Sequence, residues 1–122
     1  MGRKNKILVV DDQVWVRRML LEALSALGYE VFGASSGPEA LQLAGERGPD
    51  LAIIDMSIPG MDGLTLFSKL RGINFNIHGI LISGNGEKNC IEKALKEGAF
   101  AYLVKPFDIG DLKNLIQQAL TS

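Results

Sequence analysis

The chain has 122 residues, 47% of them hydrophobic, and a net charge of −1 from 13 basic and 14 acidic side chains. That length fits one domain with a proper core, and the balanced charge gives no electrostatic case for binding nucleic acid or a membrane surface. The single cysteine, Cys90, excludes an internal disulfide and fits a reducing cytosol, and no apolar run approaches the roughly 20 residues of a membrane span.

The basic start, Arg3 to Lys6, reads as a solvated terminus, because the apolar run behind it is too short for a signal peptide. Ile7 to Val10 is apolar without alternation and ends on Asp11-Asp12, the pattern of a strand covered on both faces. Residues 13–27 then take a helical period, with Val16, Met19, Leu20, Ala23, Leu24 and Leu27 forming a stripe and Arg17, Arg18 and Glu22 off it. Gly28 stands where a left-handed helix end is wanted. Tyr29 to Gly33 is a second strand. Ser36-Gly37-Pro38-Glu39 opens a helix with a capping box, and Gly48-Pro49 stops it.

Leu51 to Ile54 is a third strand, and it ends on Asp55. The loop that follows is rich in turn formers, Pro59, Gly60 and Asp62-Gly63, and Asp62 caps a helix that buries Leu64, Phe67 and Leu70. A fourth strand runs from Ile77 to Ile82, interrupted at His78-Gly79 and ending at Ser83. After the loop 83–86, a helix from Glu87 to Glu97 turns Ile91, Ala94 and Leu95 inward. Ala101 to Val104 is a fifth strand, ending at Lys105-Pro106. Asp108 then begins a helix with Leu112, Leu115, Ile116 and Ala119 on one face. Strict alternation with short connections predicts an α/β fold, a single doubly wound domain with a five-stranded parallel sheet and five helices.

The strand ends carry the chemistry. Asp11 and Asp12 follow the first strand, Asp55 the third, Ser83 the fourth and Lys105 the fifth. In an open α/β sheet these ends converge on one edge. Any one of these residues alone reads better as a turn or cap residue; their joint occurrence at strand ends is what points to a site. Three clustered carboxylates stay ionised together only beside cations. Lys105 supplies one, and Mg²⁺ suits the rest, because it takes a few carboxylates and keeps water and phosphate as its other ligands. A carboxylate beside Mg²⁺ and a lysine can attack phosphorus, with both cations neutralising the transferring oxygens.

The runs Ile-Leu-Val-Val-Asp-Asp at 7–12, Asp-Met-Ser-Ile-Pro-Gly-Met-Asp-Gly at 55–63, Ile-Leu-Ile-Ser-Gly at 80–84 and Gly-Ala-Phe-Ala-Tyr-Leu-Val-Lys-Pro-Phe at 98–107 span nearly the whole chain. Together they resemble the receiver domain of two-component response regulators, of flavodoxin-like fold. The resemblance implies that Asp55 accepts a phosphoryl group from a histidine kinase or His-phosphotransfer protein. It implies that Asp12, Asp55 and the backbone carbonyl of Ser57 bind Mg²⁺ directly, with Asp11 acting through a metal-bound water. Lys105 would pair with the phosphoryl oxygens, and its bond to Pro106 would be cis. Ser83 and Tyr102 would be the switch pair, reshaping the face made by the fourth helix, fifth strand and fifth helix. The implied protein is a cytoplasmic signalling module that assists its own phosphotransfer and dephosphorylation rather than an enzyme of metabolism. It would be a monomer or a phosphorylation-dependent dimer acting on an output domain or effector, with no output domain in these residues and no direct nucleic-acid or membrane contact.

Two departures stand at the fourth strand: Ser83 where the family commonly has Thr, and Gly84 where it commonly has Ala. Ser57 and Asn85, two residues beyond Asp55 and Ser83, flank the site, and the resemblance implies that these positions tune the lifetime of the aspartyl phosphate. Trp15 lies off the helical stripe and reads first as partly buried, second as part of a partner surface. His78 is at the wrong strand end for catalysis, and Cys90 reads as a helix packing or surface residue. Two rivals remain. An Mg²⁺-dependent phosphohydrolase would want an acid–base carboxylate where Ser57 stands. A degenerate receiver used only for binding is disfavoured by the intact set Asp11, Asp12, Asp55, Ser83 and Lys105.

Overall fold

The computed structural model describes residues 4–84 and 88–121, and for 88–91 the backbone alone. The expectations placed on Asn85, on Glu87 as a helix start and on the side chains of Cys90 and Ile91 lie outside the described residues. The order is β1 (Lys6–Val10), α1 (Val14–Ala26), β2 (Glu30–Ala34), α2 (Gly37–Arg47), β3 (Leu51–Asp55), α3 (Gly63–Ile73), β4 (His78–Ser83), α4 (Lys88–Lys96), β5 (Ala101–Val104) and α5 (Ile109–Thr121). All strands pair in parallel, in the order β2-β1-β3-β4-β5. The strand order reverses between β1 and β3, the switch point outside whose carboxyl ends such sheets bind their ligands.

Alternation along the strands sorts the core into two layers. Leu8, Val10, Ala52, Ile54 and Leu81 pack on Ala40 and Ala44 of α2, Leu66, Phe67 and Leu70 of α3 and Ala94 of α4. Ile7, Val9, Ile53, Ile80 and Ile82 pack on Leu20 and Leu24 of α1 and Leu112, Ile116 and Ala119 of α5. Strands buried on both faces explain why these runs lack polar alternation.

Several differences from expectation have local causes. β4 begins at His78 and runs through Gly79 without a break. A Cβ at Gly79 would stand 2.4 Å from the Phe67 ring, so the glycine makes room for a core aromatic rather than interrupting the strand. His78 packs edge-on against Phe100 at 6.2 Å, far from the carboxyl ends of the strands. The buried stripe of α1 is narrower than its sequence suggests: Leu20 and Leu24 carry it, while Met19 and Leu27 are exposed. Leu95 is likewise exposed, and Ala94 is the buried residue there. Trp15 is 78% exposed, which corrects the expectation of partial burial.

The caps fall where expected, with one change. The Ser36 hydroxyl accepts from the Glu39 amide, but Glu39 Oε1 reaches back to the amide and hydroxyl of Ser35, not of Ser36. Asp62 Oδ1 accepts from the Thr65 amide at 2.8 Å, and this bond holds the Asp62 carboxyl below its ordinary range. A depressed pKa stabilises the fold above the unfolded value near pH 3.9, and that contribution is lost as pH falls through the folded value. Asp62→Ala is expected to cost about 1 kcal/mol at pH 7 by denaturant unfolding, with the difference shrinking in acid.

Candidate functional site

β1 and β3 deliver their acids to the same edge because they are paired neighbours with Val10 opposite Ile54. Asp11 follows β1 directly. Its amide donates to the Ala34 carbonyl at 3.1 Å, its Oδ1 accepts from the Gln13 amide at 2.9 Å, and its carbonyl accepts from Arg17 Nη1 at 2.8 Å. Its Oδ2 is buried and accepts no hydrogen bond. Lys105 Nζ stands 3.9 Å from that oxygen, beyond hydrogen-bond reach. Asp11 is 1% exposed, and burial pushes its carboxyl above the ordinary range; the Asp55 and Asp12 charges add to the rise, while the Gln13 amide and Lys105 oppose it.

Asp55 ends β3 at 2% exposure. Its Oδ1 accepts from both the amide of Ser57, at 3.0 Å, and the hydroxyl of Ser57, at 2.8 Å. Its Oδ2 accepts from Lys105 Nζ at 3.1 Å. Lys105 is placed by its own backbone: its amide donates to the Ser83 carbonyl at 2.8 Å, and its bond to Pro106 is cis. Ser83 itself is buried at the end of β4, one residue beyond the partner of Asp55. Asp12 is exposed at the rim.

One oxygen from each of Asp11, Asp12 and Asp55 lies within 4.8 Å of the others. Among the described residues, two buried carboxylates, an exposed third and a single lysine leave negative charge uncompensated, and Asp11 Oδ2 has no donor. That donor set fits a hard divalent cation of the Mg²⁺ class, with oxygen ligands only and room for water or phosphate oxygens.

The model of the response regulator receiver domain family matches residues 7–117. This chain is a response regulator receiver domain. It is 37% identical over 115 residues to sporulation initiation phosphotransferase F of Bacillus subtilis (strain 168), covering 94% of this chain and 93% of that one. It is 38% identical to regulatory protein AtoC of Escherichia coli (strain K12), where it spans only 25% of the longer protein. The crystal structure of a response regulator receiver domain protein from Clostridium thermocellum superposes with a TM-score of 0.91 at 34% identity, covering 96% of this chain and 94% of that one.

The receiver therefore brings Asp11, Asp12, Asp55, Ser83 and Lys105 to one sheet edge. Tyr102 lies apart from them, outward on the edge strand β5 and 44% exposed. Two contacts have no counterpart in the sequence reading. The Ser57 hydroxyl bonds the Asp55 carboxylate, a contact that neither its metal-ligating carbonyl nor its flanking position announces. Arg17 holds the Asp11 carbonyl from within the next helix; an arginine off an apolar stripe gives no sign of such a bond.

Proposed function

We propose that this receiver takes a phosphoryl group onto Asp55 and switches conformation to control an output domain or effector. The observation that carries the reading is Asp55: a buried carboxylate held by Ser57 on one oxygen and Lys105 on the other, beside Asp11 and Asp12. An Asp55 oxygen bonds to phosphorus as the N–P bond of a donor phosphohistidine breaks, and the imidazole leaves with a proton. Asp12, Asp55 and the Ser57 carbonyl would hold Mg²⁺, with Asp11 reaching it through a bound water. The ion, when bound, neutralises charge on the transferring phosphoryl oxygens. Lys105, 3.1 Å from Asp55 Oδ2, does the same from the protein side. Asp55 and Lys105 thus promote both phosphoryl transfer and its hydrolysis without turning over a metabolic substrate.

The donor is a histidine kinase or His-phosphotransfer protein, in line with the phosphotransferase name of the Bacillus subtilis relative. Next to the acids, α1 exposes Val14, Trp15 and Met19, and a groove of about 500 Å³ between Val16, Met19, Lys105, Pro106 and Phe107 continues that apolar surface. This is the face on which the donor would seat. Ser83 and Tyr102 form the switch, and the exposed Leu95, Tyr102 and Val104 offer a surface for an output partner or a phosphorylation-dependent dimer. We place the protein in the cytoplasm on the family role.

Incubation with acetyl phosphate and Mg²⁺ is expected to add one hydroxylamine-labile phosphoryl group, read by intact mass. Chelation of the ion should abolish the addition. Addition that persists without Mg²⁺, or none at all in its presence, would sink the reading.

A further inference from the structure

We infer that Arg17 is a positioning residue for the acidic pair, holding the peptide between Asp11 and Asp12 so that both carboxylates meet Asp55. The inference deepens the receiver reading and rests on it. The carbonyl of Asp11 and the amide of Asp12 form one planar unit, so a bond to that carbonyl sets the direction in which Asp12 leaves. Arg17 Nη1 supplies that bond at 2.8 Å. The Asp11 amide is fixed by Ala34 and its Oδ1 by Gln13, so with Arg17 in place only Oδ2 remains to face the site.

The strand beside β1 is shaped for this side chain. A Cβ on Gly33 of β2 would stand 3.0 Å from Arg17 Cδ and 3.1 Å from its Cγ, so the missing side chain is the seat of the arginine stem. The arginine is half-buried there, which limits its rotamers and makes its bond directional. Its charge also reaches Glu39, whose carboxyl is held below its ordinary range first by the Ser35 bonds and lastly by Arg17. Arg17 therefore sits between the β1–α1 and β2–α2 loops, at the same sheet edge as the acids. It touches neither phosphorus nor metal; its effect passes through Asp11 and Asp12.

The test uses the full chain, Mg²⁺ alone as the probe, and two variants. Arg17→Met keeps the stem over Gly33 and removes the guanidinium. Arg17→Lys keeps the charge but not the planar fork. Mg²⁺ affinity is read by calorimetry or by the fluorescence of Trp15, and metal-free stability by thermal unfolding. Arg17→Met is expected to weaken Mg²⁺ binding by about tenfold, with Arg17→Lys intermediate. The phosphorylation rate from acetyl phosphate should recover at saturating Mg²⁺, which a general loss of stability would not do. Wild-type affinity in folded Arg17→Met overturns the inference. Should that variant fail to fold, Arg17→Lys decides: weakened binding supports the inference and unchanged binding overturns it. If the wild type itself neither binds Mg²⁺ nor takes a phosphoryl group, the phosphoacceptor reading falls, and this inference with it.

Discussion

Asp55→Asn is expected to lower phosphoryl incorporation from acetyl phosphate by at least about a hundredfold, while leaving the fold intact. An amide is not nucleophilic at oxygen under these conditions, and no other described carboxylate is placed alike. Asp12 is exposed and lacks the lysine, and Asp11 Oδ2 stands 3.9 Å from Lys105 where Asp55 Oδ2 stands 3.1 Å. The carbonyl oxygen of the substituted side chain can still accept from the amide and hydroxyl of Ser57, so the loop after β3 keeps its anchor. Lys105 loses an anionic partner but retains Asp11 nearby. Intact mass after incubation reads the result, and far-UV circular dichroism checks the fold. Incorporation equal to wild type would move the phosphoacceptor to another residue and undo the assignment of Asp55.

The parallel sheet and the edge on which the chemistry gathers are legible in the sequence because both follow from short-range rules. Continuous apolar runs such as Ile7 to Val10 fit strands covered on both sides, and each ends on its polar residue without a linker. Capping at Ser36 and Asp62 is equally local. What escapes a sequence reading is anything that depends on which side chain fills a gap across the fold. Gly79 reads as a break and is a socket for Phe67, because the ring comes from α3, which the strand's own sequence does not announce. Met19 and Leu27 read as buried because a helical stripe gives angle but not reach, and α1 lies on the sheet through Leu20 and Leu24. Arg17 escapes for the same reason: its partner is a carbonyl six residues back, and its seat is a glycine on the adjacent strand. The site is thus readable as a set of residue types at strand ends, while the contacts that aim those residues are not.

The same aiming has an energetic cost, and Asp11→Asn should expose it. Asp11 is almost wholly buried, its Oδ2 accepts no hydrogen bond, and burial holds its pKa above the ordinary carboxylate value. Between its unfolded pKa near 3.9 and the raised folded value, the native state holds the extra proton, so stability falls as pH rises across that interval. Above the folded value the full cost of the charged form is present. Glu39 and Asp62 act in the opposite direction, because their depressed pKa values give stability that is lost in acid. Asparagine at this position is neutral throughout. Its oxygen can still accept from the Gln13 amide, and its NH₂ would face the Asp55 carboxylate in place of a second negative charge. Metal-free Asp11→Asn is therefore expected to be more stable than wild type by about 1–2 kcal/mol at pH 7, with the gap closing below about pH 4. Saturating Mg²⁺ should reverse the order. A ligand at a hundred times its Kd adds about 2.7 kcal/mol to a protein that binds it, and the variant has lost part of the donor set. Urea unfolding at pH 7 and pH 4, with and without Mg²⁺, measures all four corners. A variant less stable than wild type at pH 7 without metal would mean that Lys105 already compensates Asp11, and that the acid edge is not held under strain in wait for a cation.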